Sequence, residues 1–136
     1  MAMIRSFREL DVYRLAREQA QVVFRTSRVF PKEKTYSLTD QIRRSSRAVN
    51  AMIAEAWARR KYQAAFENKI NEALGEAMET QAWLDHALDC VYMSAAQHAE
   101  LDGNWQHIGA MLNRMIDTAE SFCKAATPPP RPTRRR

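Results

Sequence analysis

Arg43, Arg44 and Arg47 stand one, three and four residues apart, and Arg59, Arg60 and Lys61 follow further along the chain. Guanidinium and ammonium groups neutralise phosphates and release condensed counterions. A strip of this kind therefore has the chemistry for salt-sensitive, sequence-tolerant contact with RNA or DNA. Arg131, Arg134, Arg135 and Arg136 repeat that chemistry at the end of the chain. Both groups also have a bland reading. Charge runs on helices are commonly solvated faces, and the helical arginines equally suit pairing with acids of a neighbouring subunit. The terminal arginines read either as an accessory anchor for nucleic acid or as a solubilising end.

The charge distribution bears on both readings. Residues 1–61 carry 14 Lys/Arg against 6 Asp/Glu, a net of +8, whereas residues 62–127 carry 3 against 10, a net of −7. Four further arginines bring the chain to its net charge of +5. Folded compactly, such a chain shows one basic and one acidic surface. The basic one attracts polyanions or docks onto the acidic surface of another copy.

No other constellation competes. Glu55 lies in an apolar stretch, but general acid–base work needs a second group at a defined separation, and the sequence supplies none; an ion pair with Arg44 or Arg59, or a contact with a neighbouring subunit, is the plainer role. Di-iron sites in helical bundles use Glu-x-x-His, whereas Trp83, Ala95 and Asn104 precede His86, His98 and His107 by three residues. His86 with Cys90, and His98 with Asp102, are one turn apart, yet two ligands do not make a metal site. Cys90 and Cys123 read as idle or buried thiols. Trp57, Trp83 and Trp105 read as core or interface anchors. With three glycines and no Gly-x-Gly pattern there is no phosphate cradle. No enzyme activity, cofactor or metal is therefore expected.

The elements that must position the arginines are helices. Ser6 and Glu9 have the spacing of a capping box, so a first helix is expected to begin between Phe7 and Asp11. Val12, Ala16, Ala20, Val23, Ser27 and Phe30 form its buried stripe, with Leu15, Val22 and Val29 as a second one. Pro31 ends it. After a short polar connection, Ser37 or Thr39 caps a second helix with Leu38, Ile42, Val49, Met52, Ile53, Ala56 and Trp57 inward, and the three arginines on the opposite side. Arg59 to Lys61 mark a break. A third helix is expected from Tyr62 to Val91 on Phe66, Ile70, Ala73, Ala77, Leu84, Leu88 and Val91, with Leu74, Met78 and Trp83 beside them. Ser94 and Gln97 form another capping box, and the fourth helix carries Leu101, Trp105, Ile108, Leu112, Met115, Ala119 and Phe122. Short connections imply an all-α, up-and-down antiparallel four-helix bundle over residues 1–126. Residues 127–136, Pro- and Arg-rich, read as a disordered basic tail.

No run approaches the ~20 apolar residues of a membrane span, and the opening residues lack the apolar segment of a signal peptide. A reduced, cytoplasmic protein is expected.

Phe30-Pro31, then Leu38 to Arg44, Ile53-Ala54-Glu55 and Arg59-Arg60, resemble the bacterial four-helix-bundle family encoded by intervening sequences of ribosomal RNA genes. Phe7 to Tyr13 and Glu79-Thr80-Gln81 are similar to it as well, so that the resemblance spans roughly residues 7–123. It implies a bundle that assembles into a ring, typically a homopentamer, without enzymatic activity. Relatives include the accessory factor of diversity-generating retroelements, which implies RNA or DNA, or a protein such as a reverse transcriptase, as partner. Ala48, Asn50 and Met52 replace the Ser, Pro and Asn common there, so a straighter second helix is expected.

Overall fold

The computed structural model describes residues 3–123, without the side chains of residues 34–36. The expected tail, residues 127–136 with Arg131 and Arg134 to Arg136, lies outside the described residues. Four long helices follow one another: α1 (Asp11–Ser27), α2 (Asp40–Ala58), α3 (Gln63–Asp89) and α4 (Ala95–Asp117), the last continued by a short α5 (Ala119–Cys123). Among the described residues there is no strand.

Ser6 and Glu9 both cap, but they cap a 3-10 turn, Phe7–Glu9, rather than α1 itself. The Ser6 hydroxyl accepts from the Arg8 amide at 3.2 Å, and the Glu9 carboxylate accepts from the Arg5 amide at 3.1 Å. Leu10 is extended, and α1 starts behind it. The predicted stripe is buried at Val12, Ala16, Ala20, Val23 and Ser27. The helix closes at Ser27, earlier than Pro31 alone requires, because Ser27 Oγ donates back to the Phe24 carbonyl at 3.0 Å and tight turns follow. Those turns fold Phe30 back into the core beside the ring of Tyr92, 5.6 Å away. Val29, expected in the second stripe, is 80% exposed as a result.

A 3-10 turn, Lys32–Lys34, and a single π turn, Thr35–Thr39, lead directly into α2. Thr39 is already helical and makes no side-chain cap. The expected capping hydroxyl is therefore absent there, since a helix entered from a preceding turn has no extended N-cap residue. α2 runs unbroken to Ala58, as a proline-free helix should. Its buried face is Ile42, Val49, Ile53 and Ala56, extending that of Leu38 in the π turn, together with Ser45 and Ser46, which the apolar pattern had passed over.

α3 ends at Asp89 rather than Val91. The Tyr92 amide donates to the Ala87 carbonyl and the Val91 amide to that of Leu88, each at 2.9 Å. This is the Schellman arrangement, which requires a left-handed residue. Val91 adopts it, with φ 60°, and is 84% exposed instead of closing the stripe. The Ser94–Gln97 capping box opens α4 as predicted, with both reciprocal bonds formed. α4 buries Leu101, Trp105, Ile108, Leu112 and Met115. It breaks at Thr118, whose hydroxyl and amide both donate to the Arg114 carbonyl. α5 then lays Phe122 on Phe66 at a centroid distance of 5.8 Å.

α1 packs on α2, α2 on α3, α3 on α4, and α4 back on α1. This is the up-and-down antiparallel four-helix bundle. No helix among the described residues is long and apolar enough to cross a membrane.

Candidate nucleic-acid interface

Successive residues on a helix are turned by about 100°, so the buried pair Ser45 and Ser46 pushes Arg43 and Arg44 to different flanks of α2. Arg43 leans towards α1. Its Nε–H donates to Ser27 Oγ at 2.8 Å, and its guanidinium lies 4.6 Å from the Phe24 ring centroid. Arg47, one turn on, sits 5.3 Å from the same centroid. Two guanidinium groups thus share one aromatic ring, a cation–π arrangement that holds them without neutralising them.

Beside them a groove of about 220 Å³ opens between α1 and α2, lined by Tyr13, Arg17, Ala20, Gln21, Arg47 and Asn50. Asn50 Nδ2 donates to the Tyr13 carbonyl at 3.0 Å and latches the two helices at the groove's end. Arg14, Arg25 and Arg28 are exposed along α1 and its C-cap.

Arg44 faces the other way. It pairs with Glu76 at 3.2 Å and with Glu79, both on α3, and the Glu79 carboxylate also accepts from Trp83 Nε1 at 3.0 Å. Arg44 thus bridges α2 and α3 within its own chain.

Arg59, Arg60 and Lys61 occupy the turn after α2. The rise of ~1.5 Å per residue puts Arg59 about 18 Å along the axis from Arg47. Arg60 lies 3.6 Å above the Trp57 ring and donates to the Trp57 carbonyl at 2.9 Å, while Lys61 sits 5.8 Å from the Tyr62 ring. The six helical cations therefore form two groups and a bridge: Arg43 with Arg47, the terminal trio, and Arg44 between α2 and α3.

Glu55 forms an ion pair, as expected, but with Lys69 of α3 at 3.2 Å rather than with Arg44 or Arg59. Its hydrogen bond is the main cause that raises the Lys69 pKa above the ordinary lysine value, with Glu72 adding to it against some desolvation. Cys90 is exposed at the C-cap of α3, and Cys123 is buried in α5 at the opposite end of the bundle. Trp105 is a core anchor, fully buried, with no partner for its indole N–H; Trp57 and Trp83 are half-buried.

Sequence reasoning missed Arg17, Tyr13 and Asn50. A signal for Arg17 existed: Arg14, Arg17, Gln21, Arg25 and Arg28 follow a 3-4-4-3 spacing opposite the apolar stripe. Asn50 offered none, because its role depends on a carbonyl of another helix.

Residues 8–114 match the family model described as 23S rRNA-intervening sequence protein. Among solved structures, the chain is similar to a Bacteroides thetaiotaomicron protein described as of unknown function and from the S23 ribosomal protein family. The TM-score is 0.70 and the identity 28%, over 78% of this chain and 95% of that one. A comparison with curated proteins finds no match.

Proposed function

We infer the function from one premise: the chain belongs to the 23S rRNA-intervening sequence protein family. On this reading it is a non-catalytic cytoplasmic protein that assembles with copies of itself, as a pentameric ring, and binds the sugar–phosphate backbone of RNA or DNA through its α1–α2 face. The observation that carries the reading is the α1–α2 groove itself. Arg17 and Arg47 line it, Arg43 lies one turn away, and among the described residues no carboxylate pairs with any of the three. Arginine forks match phosphate oxygens and carry no base information by themselves, so binding is tolerant of sequence. Arg59, Arg60 and Lys61 extend the contact at the far end of the bundle, and the terminal arginines add further cations for phosphate.

The competing reading is an adaptor ring that binds a protein, for example a reverse transcriptase, and no nucleic acid. It is supported by the acids of α3 and α4 on the side away from the arginines. It draws nothing from Arg44, whose acidic partners belong to its own chain.

Fluorescence anisotropy of the full chain with labelled RNA and duplex DNA, at a series of salt concentrations, tests the proposal. Each lost phosphate contact flattens the slope of log affinity against log salt by about 0.9 on duplex DNA. Arg17→Glu with Arg47→Glu should flatten it by about 2 and weaken binding steeply, with the oligomer mass by light scattering unchanged. Full retention of binding would overturn the site, and a fall in mass would favour the adaptor ring.

A further inference from the structure

The geometry points to a second, unrelated site: Asp85, His98 and Asp102 form a binding site for a zinc-type divalent cation that bridges α3 and α4. His98 and Asp102 are one turn apart, so both project from the same flank of α4 towards α3. Sequence alone leaves them a pair of donors. The packing of α3 on α4 adds Asp85 as the third. His98 Nε2 lies 2.8 Å from Asp85 Oδ1, and one ligand atom from each of the three residues falls within 4.8 Å of the others. Zinc–nitrogen and zinc–carboxylate bonds are about 2.0–2.2 Å long, so ligand atoms around one ion stand roughly 3–4 Å apart. Side-chain movements of about an ångström close the set, with no movement of either helix.

Three further features favour a cation. Gln81, one turn before Asp85, donates to Asp102 Oδ1 at 3.1 Å and also to Gln106. It fixes one oxygen of that carboxylate and leaves the other for a metal, as outer partners of metal ligands do. Among the described residues no lysine or arginine pairs with Asp85 or Asp102, so two carboxylates share one imidazole with no fixed positive charge. The His98 side chain is only 17% exposed while that of Asp85 is 65% exposed. The imidazole is thereby held in place and the open side faces water, which completes the coordination. Among the described residues this is also the single place where three such donors converge.

The donor set decides the class of ion. One imidazole with two carboxylates suits zinc and its transition-metal neighbours, whereas magnesium and calcium prefer all-oxygen shells. A bound ion would staple the first turns of α4 to the last turns of α3, beside the loop that carries Val91.

The test uses the full chain, stripped with a chelator and titrated with zinc chloride, read by calorimetry and by thermal melting. The expected result is one zinc per chain and a rise in Tm, with magnesium chloride giving neither. His98→Ala and Asp102→Asn should each weaken zinc binding at least about tenfold. Asp102→Asn keeps the His98–Asp85 pair, so it separates a metal site from a plain ion pair: its metal-free Tm should stay where it was while its zinc response disappears. Absence of zinc binding by the unaltered chain would overturn the proposal. So would binding that survives both substitutions and is lost in Cys90→Ser, which would move the ion to Cys90 and His86, or a response to magnesium equal to that for zinc.

Discussion

Ser45 Oγ and Thr80 Oγ1 meet at 2.8 Å, both residues fully buried between α2 and α3. Each hydroxyl also has a carbonyl of its own helix within reach, that of Glu76 at 2.9 Å from Thr80 and that of Ile42 at 3.3 Å from Ser45, so either can be the donor in the shared bond. A buried hydrogen bond of this kind is worth about 1 kcal/mol net, and replacing both partners by apolar groups of the same shape is nearly neutral. Ser45→Ala and Thr80→Val should each lower stability by about 1 kcal/mol, while the double variant loses well under the sum of the two. Urea denaturation of the four proteins measures the coupling.

Arg44 and Arg47 differ by less than one turn and should behave oppositely. Arg44 is half exposed, so its pairs with Glu76 and Glu79 are worth at most about 1 kcal/mol. Arg44→Ala should cost up to that amount of stability and leave nucleic-acid affinity unchanged. Arg47→Ala should weaken binding and leave the midpoint of unfolding in place. Anisotropy and denaturation, run on both variants, check the crossing.

Val91 holds a β-branched side chain in the left-handed region, at a cost of about 1–2 kcal/mol relative to a residue without Cβ. Its side chain is almost wholly in solvent, so nothing is lost from the core when it is removed. Val91→Gly should raise stability by about 1 kcal/mol after the added freedom of the unfolded chain is set against the gain. A drop in Tm would show that the valine is held by contacts that this bundle does not display.

The two thiols should separate cleanly by reactivity. Burial pushes the Cys123 pKa above the ordinary cysteine value, with the nearby Arg60 opposing and Glu67 reinforcing that shift. Cys90 is exposed. A thiol reagent at neutral pH should modify Cys90 alone, and Cys123 only on unfolding, as mass spectrometry would report. Because the folded value is the higher one, the contribution of Cys123 to stability is complete below the unfolded thiol value, 9.0, and is lost as pH rises through the folded one. Unfolding measured above pH 9 should show that loss, and Cys123→Ala should remove it.

The helices were legible wherever apolar spacing and caps agreed. The Ser94–Gln97 box and the Leu101 to Met115 stripe stand as the sequence implies, because both are set within a few residues. The ends of α1 and α3 were not legible. Ser27 closes α1 with its hydroxyl on the Phe24 carbonyl, and Ala87 to Tyr92 close α3 through backbone bonds that no residue type announces, least of all a valine where glycine is usual. Ser45, Ser46 and Thr80 look polar in sequence, and only the approach of α2 to α3 makes them core. The arginines were visible as a group but not as a geometry. That Arg43 turns to Phe24 and Arg44 to Glu79 follows from which neighbour lies on each flank of α2.

The bundle order places α1 and α2, rich in arginine, on one side and α3 and α4, rich in carboxylates, on the other. Residues 1–61 carry +8 and residues 62–127 carry −7, and the four terminal arginines bring the chain total to only +5. The protein is thus better described by its dipole moment than by its net charge. In a field it turns before it touches, presenting the arginine side to any polyanion while still separated from it by water. At neutral pH and low ionic strength the same asymmetry lets it adhere to anion-exchange and cation-exchange resins alike, a behaviour that the net charge alone would forbid.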